Sequence, residues 1–164
     1  MPNVLWLTGL PCSGKTTLAG VFVKSHPNYI SLDGDNIRRL ISADLDFSMK
    51  CREENVRRVA SIAKLLLNQN TPSIVSILSP LEAHRSMARD IIGNNLKIIY
   101  LNAPLNVCEK RDIKGMYKKA RNGTIKNFTG IDSLYESPLS PDLVLDTSNE
   151  SINACLLKIN SLVP

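Results

Sequence analysis

The chain has 164 residues, of which 43% are hydrophobic, and it carries a formal net charge of +5 at pH 7. This length predicts one compact domain over residues 1–164, with a core that needs no metal or disulfide support. The four cysteines have no paired or zinc-like spacing, and no apolar run approaches the ~20 residues of a membrane span, so we expect a cytoplasmic protein with reduced thiols and no membrane partner.

The first predicted elements flank a glycine-rich loop. An apolar strand over Val4 to Thr8 is followed by an amphipathic helix from Thr17, and the loop between them has the spacing of a phosphate-binding P-loop: Gly9-Leu10-Pro11-Cys12-Ser13-Gly14-Lys15-Thr16. In such a loop, backbone N–H groups and a helix N-terminus surround a polyphosphate. The pattern predicts ATP or GTP binding, with Lys15 on the β- and γ-phosphates and Thr16 on Mg²⁺. An ordinary strand-loop-helix turn that happens to contain lysine is the alternative.

The second predicted strand, Tyr29 to Leu32, leads into Asp33-Gly34-Asp35-Asn36. Because ligands bind at the carboxyl ends of parallel strands, these carboxylates could accept a proton from an attacking hydroxyl and hold Mg²⁺ through water. Alternatively, Asp35 only caps a helix that begins near Ile37. The residues that follow could grip an anionic nucleotide with guanidinium groups, an aromatic ring and an amide: Arg38, Phe47, Arg52 and Asn55.

The remaining elements predict an α/β fold of repeated strand-helix-strand units around a parallel five-stranded sheet. Three further strands are predicted, over Ser73 to Leu78, Lys97 to Leu101 and Leu143 to Leu145. A long helix before the third strand carries an apolar stripe at helical spacing: Val56, Val59, Ala60, Ala63 and Leu67. A last helix is predicted after a capping box formed by Thr147 and Glu150.

The segment from Asp112 to Asp142 shows little periodicity and predicts a long ordered loop or lid. Between Lys110 and Lys126 the chain has seven basic residues and one acid, so the positive charge is concentrated there. Such local charge favours a clamp for a small polyanion over a nucleic-acid partner, which we do not expect. A solvated basic loop is the alternative.

Taken together, these motifs resemble the adenylylsulfate kinase family of P-loop enzymes. The resemblance covers nearly the whole chain, through Trp6–Thr16, Leu32–Arg38, Arg52–Ala60, Lys114–Arg121, Ile125–Asp132 and Leu143–Thr147. It implies a three-layer P-loop NTPase fold of the nucleotide-kinase kind, with a lid at about residues 111–135. It also implies transfer of the γ-phosphoryl of ATP to the 3′-hydroxyl of adenosine 5′-phosphosulfate, giving 3′-phosphoadenosine 5′-phosphosulfate and ADP in sulfate assimilation.

The resemblance also assigns roles to individual residues. The catalytic group is Asp35 as base with Asp33, Lys15 and Ser79, and Mg²⁺ is held by Thr16 and Asp33, partly through water. ATP is bound by Gly9, Leu10, Pro11, Cys12, Ser13, Gly14, Lys15, Thr16, Thr17, Arg111 and Thr147. Adenosine 5′-phosphosulfate is bound by Asp33, Gly34, Asp35, Asn36, Arg38, Phe47, Arg52, Asn55, Ile77, Leu78, Ser79, Lys114, Lys126, Asn127 and Phe128.

Several alternatives stay open at this stage. Ser79 matches a serine proposed to carry phosphate in some members, but direct in-line transfer needs no phosphoserine. Arg85 matches a family arginine, or is only a surface helix residue. Cys12 could have a lowered pKa at the helix N-terminus, or be inert. Phe128 could stack on adenine together with Phe47, or be lid core.

The function and the partners also have alternatives. A P-loop kinase for another hydroxyl acceptor, a regulatory nucleotide switch and a nucleic-acid binder are the competing functions. A homodimer and a sulfurylase on a separate chain are the open partner assignments.

Overall fold

Five parallel strands form one sheet in the computed structural model, which describes all residues 1–164. The strands are β1 (Val4–Thr8), β2 (Ile30–Asp33), β3 (Ser73–Ser76), β4 (Leu96–Leu101) and β5 (Leu143–Leu145), in the order β2-β3-β1-β4-β5. β1 is central, with Val4 opposite Ser73 of β3 and Leu96 of β4. The prediction of an α/β fold with a five-stranded parallel sheet is confirmed.

Seven helices cover the two faces of the sheet and the edge where its strands end. They are α1 (Lys15–Ser25), α2 (Gly34–Leu40), α3 (Met49–Asn68), α4 (Glu82–Ile92), α5 (Leu105–Lys110), α6 (Met116–Arg121) and α7 (Ile152–Asn160). None of them has the combination of length and apolarity that a bilayer crossing requires.

Two apolar clusters form the core, one on each face of the sheet. Because successive side chains of a strand point to opposite faces, Trp6 packs into the cluster with α3 and α4, while Leu7 packs into the cluster with α1 and α7. The predicted stripe of the long helix is buried at Val56, Val59, Ala60 and Ala63, and Leu67 packs against the same cluster. This three-layer arrangement fixes the carboxyl ends of the strands at one edge.

Several predicted boundaries were wrong by one to three residues, and two predicted caps were wrong. The third strand ends at Ser76, because the chain leaves the sheet there and the carbonyl of Leu78 accepts from the Thr8 hydroxyl at 2.8 Å. α2 begins at Gly34 and is capped by Asp33, not by Asp35. α7 is capped by Ser151, whose hydroxyl accepts from Ala154 N–H.

The predicted capping box fails because both of its residues have other partners. The Thr147 hydroxyl donates to the carbonyl of Ser13 at 2.8 Å, and the Glu150 carboxylate accepts from Asp146 N–H at 3.1 Å. The predicted loop after Asp112 also contains a helix, α6, whose six residues are too few to show a period.

Candidate active site

The phosphate loop connects β1 to α1 and is shaped by close backbone approach. A Cβ added at Gly9 would lie 2.7 Å from both the carbonyl oxygen of Leu101 and the hydroxyl of Ser13, so only glycine fits. Gly14 caps α1 in the left-handed region, at φ 107°. The first N–H groups of α1 therefore face the loop, which is the geometry that binds phosphate.

Lys15 lies across this loop. Its Nζ donates to the carbonyls of Gly9 and Leu10 at 2.7 and 2.8 Å. Burial lowers the pKa of this ammonium to about 8, since removal from water disfavours the charged form. An anionic phosphate is the partner that would compensate such a desolvated cation.

Next to the loop, a hydroxyl and a carboxylate form a compact pair. The Thr16 hydroxyl donates to Asp33 Oδ1 at 2.8 Å, and the Ser76 hydroxyl donates to the same oxygen at 2.9 Å. These oxygen donors fit Mg²⁺, which is usually held by one or two protein ligands plus phosphate oxygens and water. Thr16 and Asp33 therefore supply the small number of protein oxygens that Mg²⁺ takes beside a bound nucleotide.

Asp35 lies in the first turn of α2 and contacts the lid (residues 111–135). Its Oδ2 accepts from Lys114 Nζ at 2.7 Å, and the carboxylate raises the pKa of Lys114. Both side chains are largely exposed, 73% for Lys114 and 81% for Asp35. This ion pair is therefore a solvent-exposed link between the lid and the proposed base.

The opposite wall of the site comes from α2, α3 and the segment between them. The Phe47 ring lies 4.6 Å from the guanidinium of Arg38 and 5.6 Å from that of Arg52. Arg52 is buried, which lowers its pKa to about 10, and it donates to the carbonyls of Phe47 and Asn127 rather than to a carboxylate. One helical turn away, the buried Oδ1 of Asn55 has no hydrogen-bond partner. These groups leave a cation and a polar oxygen available to a ligand.

The lid places Phe128 over the same wall. Its ring packs edge to face on Tyr117 at 4.9 Å and joins a small apolar cluster with Ala103 and Cys108. Phe128 also lines the site cavity, so its lid-core role and its ligand-facing role are compatible. Stacking of adenine between Phe47 and Phe128 stays a prediction.

A single cavity of about 960 Å³ joins the phosphate loop to this wall. Most of the predicted site residues line it, including the acceptor set from Arg38 to Phe128 and the ATP-side residues Arg111 and Thr147. The structure does not bring four predicted residues to the cavity surface: Gly9, Leu10, Asp33 and Asn36. The carbonyls of Gly9 and Leu10 accept hydrogen bonds from Lys15, and Asp33 accepts one from Thr16, so these three residues contact groups that do line the cavity. The Asn36 amide oxygen accepts from Arg39 instead.

Ser79 lines the cavity, but its hydroxyl is directed into the sheet edge. The residue is 1% exposed and has a positive φ of 36°. Its Oγ accepts from Trp6 Nε1 at 3.1 Å and donates to the Thr8 hydroxyl at 3.2 Å. The hydroxyl is therefore engaged in buried hydrogen bonds.

Arg85 is not a surface residue, in contrast to one of the two sequence interpretations. It is 2% exposed and donates to the carbonyls of Ser79 and Glu136 at 2.8 and 2.7 Å. Its spacing to the buried residues Ala88 and Ile92, at i+3 and i+7, is the sequence signal that could have identified it. Arg85 supports the turn that contains Ser79.

The hypothesis of an activated Cys12 thiol is not supported. Burial, followed by the nearby Asp112 carboxylate, raises the pKa of this thiol instead of lowering it. The cations of Lys15 and Lys114 lower the pKa of this thiol by less.

Sequence reasoning also missed two residues of α7 that line the cavity, Ile152 and Cys155. Neither residue has a charge or belongs to a motif that would mark it.

Comparison with known proteins gives a consistent result. The family model described as adenylylsulphate kinase matches residues 1–146. An adenylyl-sulfate kinase of Clostridium acetobutylicum is 45% identical over 157 residues, which cover 93% of this chain and 78% of that protein. An adenylyl-sulfate kinase of Yersinia pestis is 48% identical over 148 residues, covering 87% and 69%.

Among solved structures, the APS kinase of Mycobacterium tuberculosis in complex with AMPPNP and APS superposes with a TM-score of 0.94. It is 39% identical, and the match covers 99% of this chain and 97% of that chain. A gluconokinase of Sinorhizobium meliloti, 14% identical with a TM-score of 0.66, covers 98% and 91% and shares the fold alone.

Proposed function

The chain belongs to the adenylylsulfate kinase family, and on that premise we propose how its residues carry out the reaction. The reaction is transfer of the γ-phosphoryl of ATP to the 3′-hydroxyl of adenosine 5′-phosphosulfate, which gives 3′-phosphoadenosine 5′-phosphosulfate and ADP. The phosphate loop takes ATP, and the wall of α2 and α3 with the lid takes the acceptor.

One observation carries this assignment: the two halves of the reaction face a single cavity. At one end, Lys15 and the Thr16–Asp33 pair meet the requirements of a triphosphate with Mg²⁺. At the other end, Arg52, which has no carboxylate partner, meets the requirement of an anionic group, and the unpartnered Asn55 amide oxygen can accept from an N–H or O–H group of the nucleotide.

We assign Asp35, which lines the cavity, as the base. Its carboxylate accepts the proton of the 3′-hydroxyl while that oxygen bonds to the γ-phosphorus and the bond to the β-phosphate oxygen breaks. Lys15 stabilises the negative charge that builds on the β- and γ-phosphates. Mg²⁺ held near Thr16 and Asp33 would add positive charge at the same oxygens.

Lys114 links the lid to this chemistry. A lysine has three donors on a flexible stem, so it can exchange the Asp35 carboxylate for an anionic group of the acceptor as the substrate enters. Ser79 needs no covalent role, because its hydroxyl is bonded to Trp6 and Thr8 and direct in-line transfer is chemically sufficient.

Other expectations stay predictions. The use of Mg²⁺, the single domain with its lid at 111–135 and a cytoplasmic location are supported by the residues and by the family. A homodimer and a sulfurylase on a separate chain also stay predictions.

The test is an assay of ADP release from Mg-ATP with adenosine 5′-phosphosulfate, AMP, gluconate or no acceptor, with the product identified by mass. We expect turnover with the phosphosulfate and a product phosphorylated at the 3′ position. Turnover with another acceptor instead would overturn the acceptor assignment and leave the phosphate-loop assignment intact.

Two variants test the residue roles. Lys15→Ala and Asp35→Asn should each lower kcat by about a thousandfold or more, since each removes a group that acts in the transition state. Both residues lie in the first turns of helices, α1 and α2, and outside the two apolar core clusters, so both variants should still fold. Normal kcat in Asp35→Asn would exclude Asp35 as the base.

A further inference from the structure

The lid segment from Asn127 to Asp132 is a turn held by a single carboxylate. Asp132 Oδ2 accepts from Asn127 N–H at 2.8 Å, and Oδ1 accepts from Phe128 N–H at 2.6 Å. The N–H groups of Ile131, Asp132 and Ser133 all donate to the carbonyl of Phe128. The turn is therefore closed from both of its ends.

Asp132 holds the backbone of Asn127 in a left-handed conformation, at φ 58°. Asparagine tolerates this region better than other residues with a side chain, but less well than glycine, so the hydrogen bond from its N–H helps to select the conformation. Hydrogen bonds to a carboxylate are roughly twice as strong as neutral ones. The hydrogen bond from Phe128 N–H, and to a smaller extent the one from Asn127 N–H, lowers the pKa of Asp132, so the carboxylate stays ionised at neutral pH.

The same turn is tied to the acceptor wall. The carbonyl of Asn127 accepts from Arg52 at 2.6 Å, so the N–H side of this residue is fixed by Asp132 and its carbonyl side by α3. The charge of Asp132 also raises the pKa of Arg52, against the larger effect of burial. Asn127 and Phe128 line the site cavity, whereas Asp132 does not.

We propose that Asp132 is a positioning residue for the acceptor: it sets the backbone of Asn127 and Phe128 against Arg52 and so determines the affinity for adenosine 5′-phosphosulfate. It acts without touching the substrate. This inference rests on the proposed function, because the residues it positions are those assigned to the acceptor. ATP meets the phosphate loop, to which the Asp132 carboxylate makes no hydrogen bond, so ATP binding should depend on Asp132 less than acceptor binding does.

The variants are Asp132→Ala, Asp132→Asn and, as a matched control, Asp90→Asn. Asp132 is exposed, so its replacement should leave the fold intact. Asparagine keeps one oxygen acceptor and loses the charge, whereas alanine removes both acceptors. Asp90 is also exposed and makes no hydrogen bond or ion pair, so its variant changes net charge by the same amount without breaking a contact.

The measurements are kcat and KM for each substrate in turn, together with the Kd of adenosine 5′-phosphosulfate by calorimetry in the presence of ADP. We expect the acceptor KM and Kd to rise about tenfold in Asp132→Ala and less in Asp132→Asn. The KM for ATP and the kcat at saturating acceptor should change less than about twofold. Asp90→Asn should match the wild type.

Two results would overturn the inference. One is an unchanged acceptor KM and Kd in Asp132→Ala; the other is a parallel rise of both KM values with a lower melting temperature, which would indicate a general structural role. Failure of the proposed function would look different, because the wild type itself would then not turn over the phosphosulfate. If the wild type used another acceptor, the same comparison of KM for that acceptor would decide the inference.

Discussion

The phosphate loop and the lid line one cavity and touch where the Tyr117 hydroxyl donates to the carbonyl of Pro11, but different forces hold them. The phosphate loop continues from β1, all of whose residues are buried, into α1, whose Leu18, Ala19 and Phe22 are buried. The lid rests on a cluster of three buried residues and on exposed polar contacts, such as the Lys114–Asp35 and Arg121–Glu109 pairs.

This difference separates the two substrates physically. Close packing leaves a backbone only one arrangement, so the nucleotide end of the cavity is shaped before any ligand arrives. Exposed ion pairs contribute little to stability and are weakened by salt, so the lid side of the acceptor end is held by contacts that a ligand can replace. Changes in the loop should therefore act through packing, and changes in the lid through charge.

The largest expected effect is that of Gly9→Ala. Because the added Cβ would meet a backbone oxygen of Leu101 at 2.7 Å, we expect destabilisation of about 1–3 kcal/mol and at least about a hundredfold loss of Mg-ATP affinity. Thermal unfolding and calorimetry measure the two quantities. Gly20→Ala is the matched control, since no atom lies within 4 Å of that Cβ and α1 should tolerate it. Wild-type ATP affinity in Gly9→Ala would show that packing does not shape the loop.

A smaller effect, confined to the acceptor, is expected for Lys114→Ala. Loss of this cation should raise the KM for adenosine 5′-phosphosulfate about tenfold and leave the melting temperature nearly unchanged, because the Asp35 pair is exposed. The wild-type KM should rise with added salt, and the variant should show a weaker dependence. Lys118→Ala, on the exposed face of α6, is the control. Equal salt dependence in both proteins would contradict the electrostatic account of the lid.

Nucleotide binding should also take up a fraction of a proton in alkaline solution. Lys15 has a pKa of about 8, so at roughly pH 8.5 most of it is neutral before ATP binds. A phosphate partner favours the charged form and raises this pKa, so protons are taken up on binding, and the uptake disappears as the pH falls below 7. Calorimetry in two buffers of different ionisation enthalpy measures it. Identical heats in both buffers at the alkaline pH would refute this account of Lys15.

The smallest effect is expected for Cys12→Ser. Since burial raises the pKa of the Cys12 thiol, little thiolate forms at neutral pH, and the substitution nearly conserves size. We expect kcat/KM for both substrates to stay within about twofold. Rapid alkylation of Cys12 at pH 7, slowed by Mg-ATP and absent in the serine variant, would argue for an activated thiol after all.

Periodicity and motif spacing predicted most of the fold. β1 and β5 have the predicted bounds, and the stripe from Val56 to Ala63 is buried as expected. Such patterns are reliable because a long element repeats its apolar signal many times. α6 was missed because its six residues repeat the apolar signal less than twice. Thr147 was wrongly predicted as a cap, because its hydroxyl donates instead to the carbonyl of Ser13, 134 positions away.

The sequence alone determined the phosphate loop, the chain order of the five strands and the concentration of charge in the lid, because each is a local pattern of neighbouring residues. Only the tertiary structure decided the environment of single side chains. It buried Arg85, engaged the Ser79 hydroxyl in hydrogen bonds with Trp6 and Thr8, and raised the pKa of the Cys12 thiol. Burial and hydrogen bonding are properties of residues brought together from distant parts of the chain, and a local pattern carries no record of those partners.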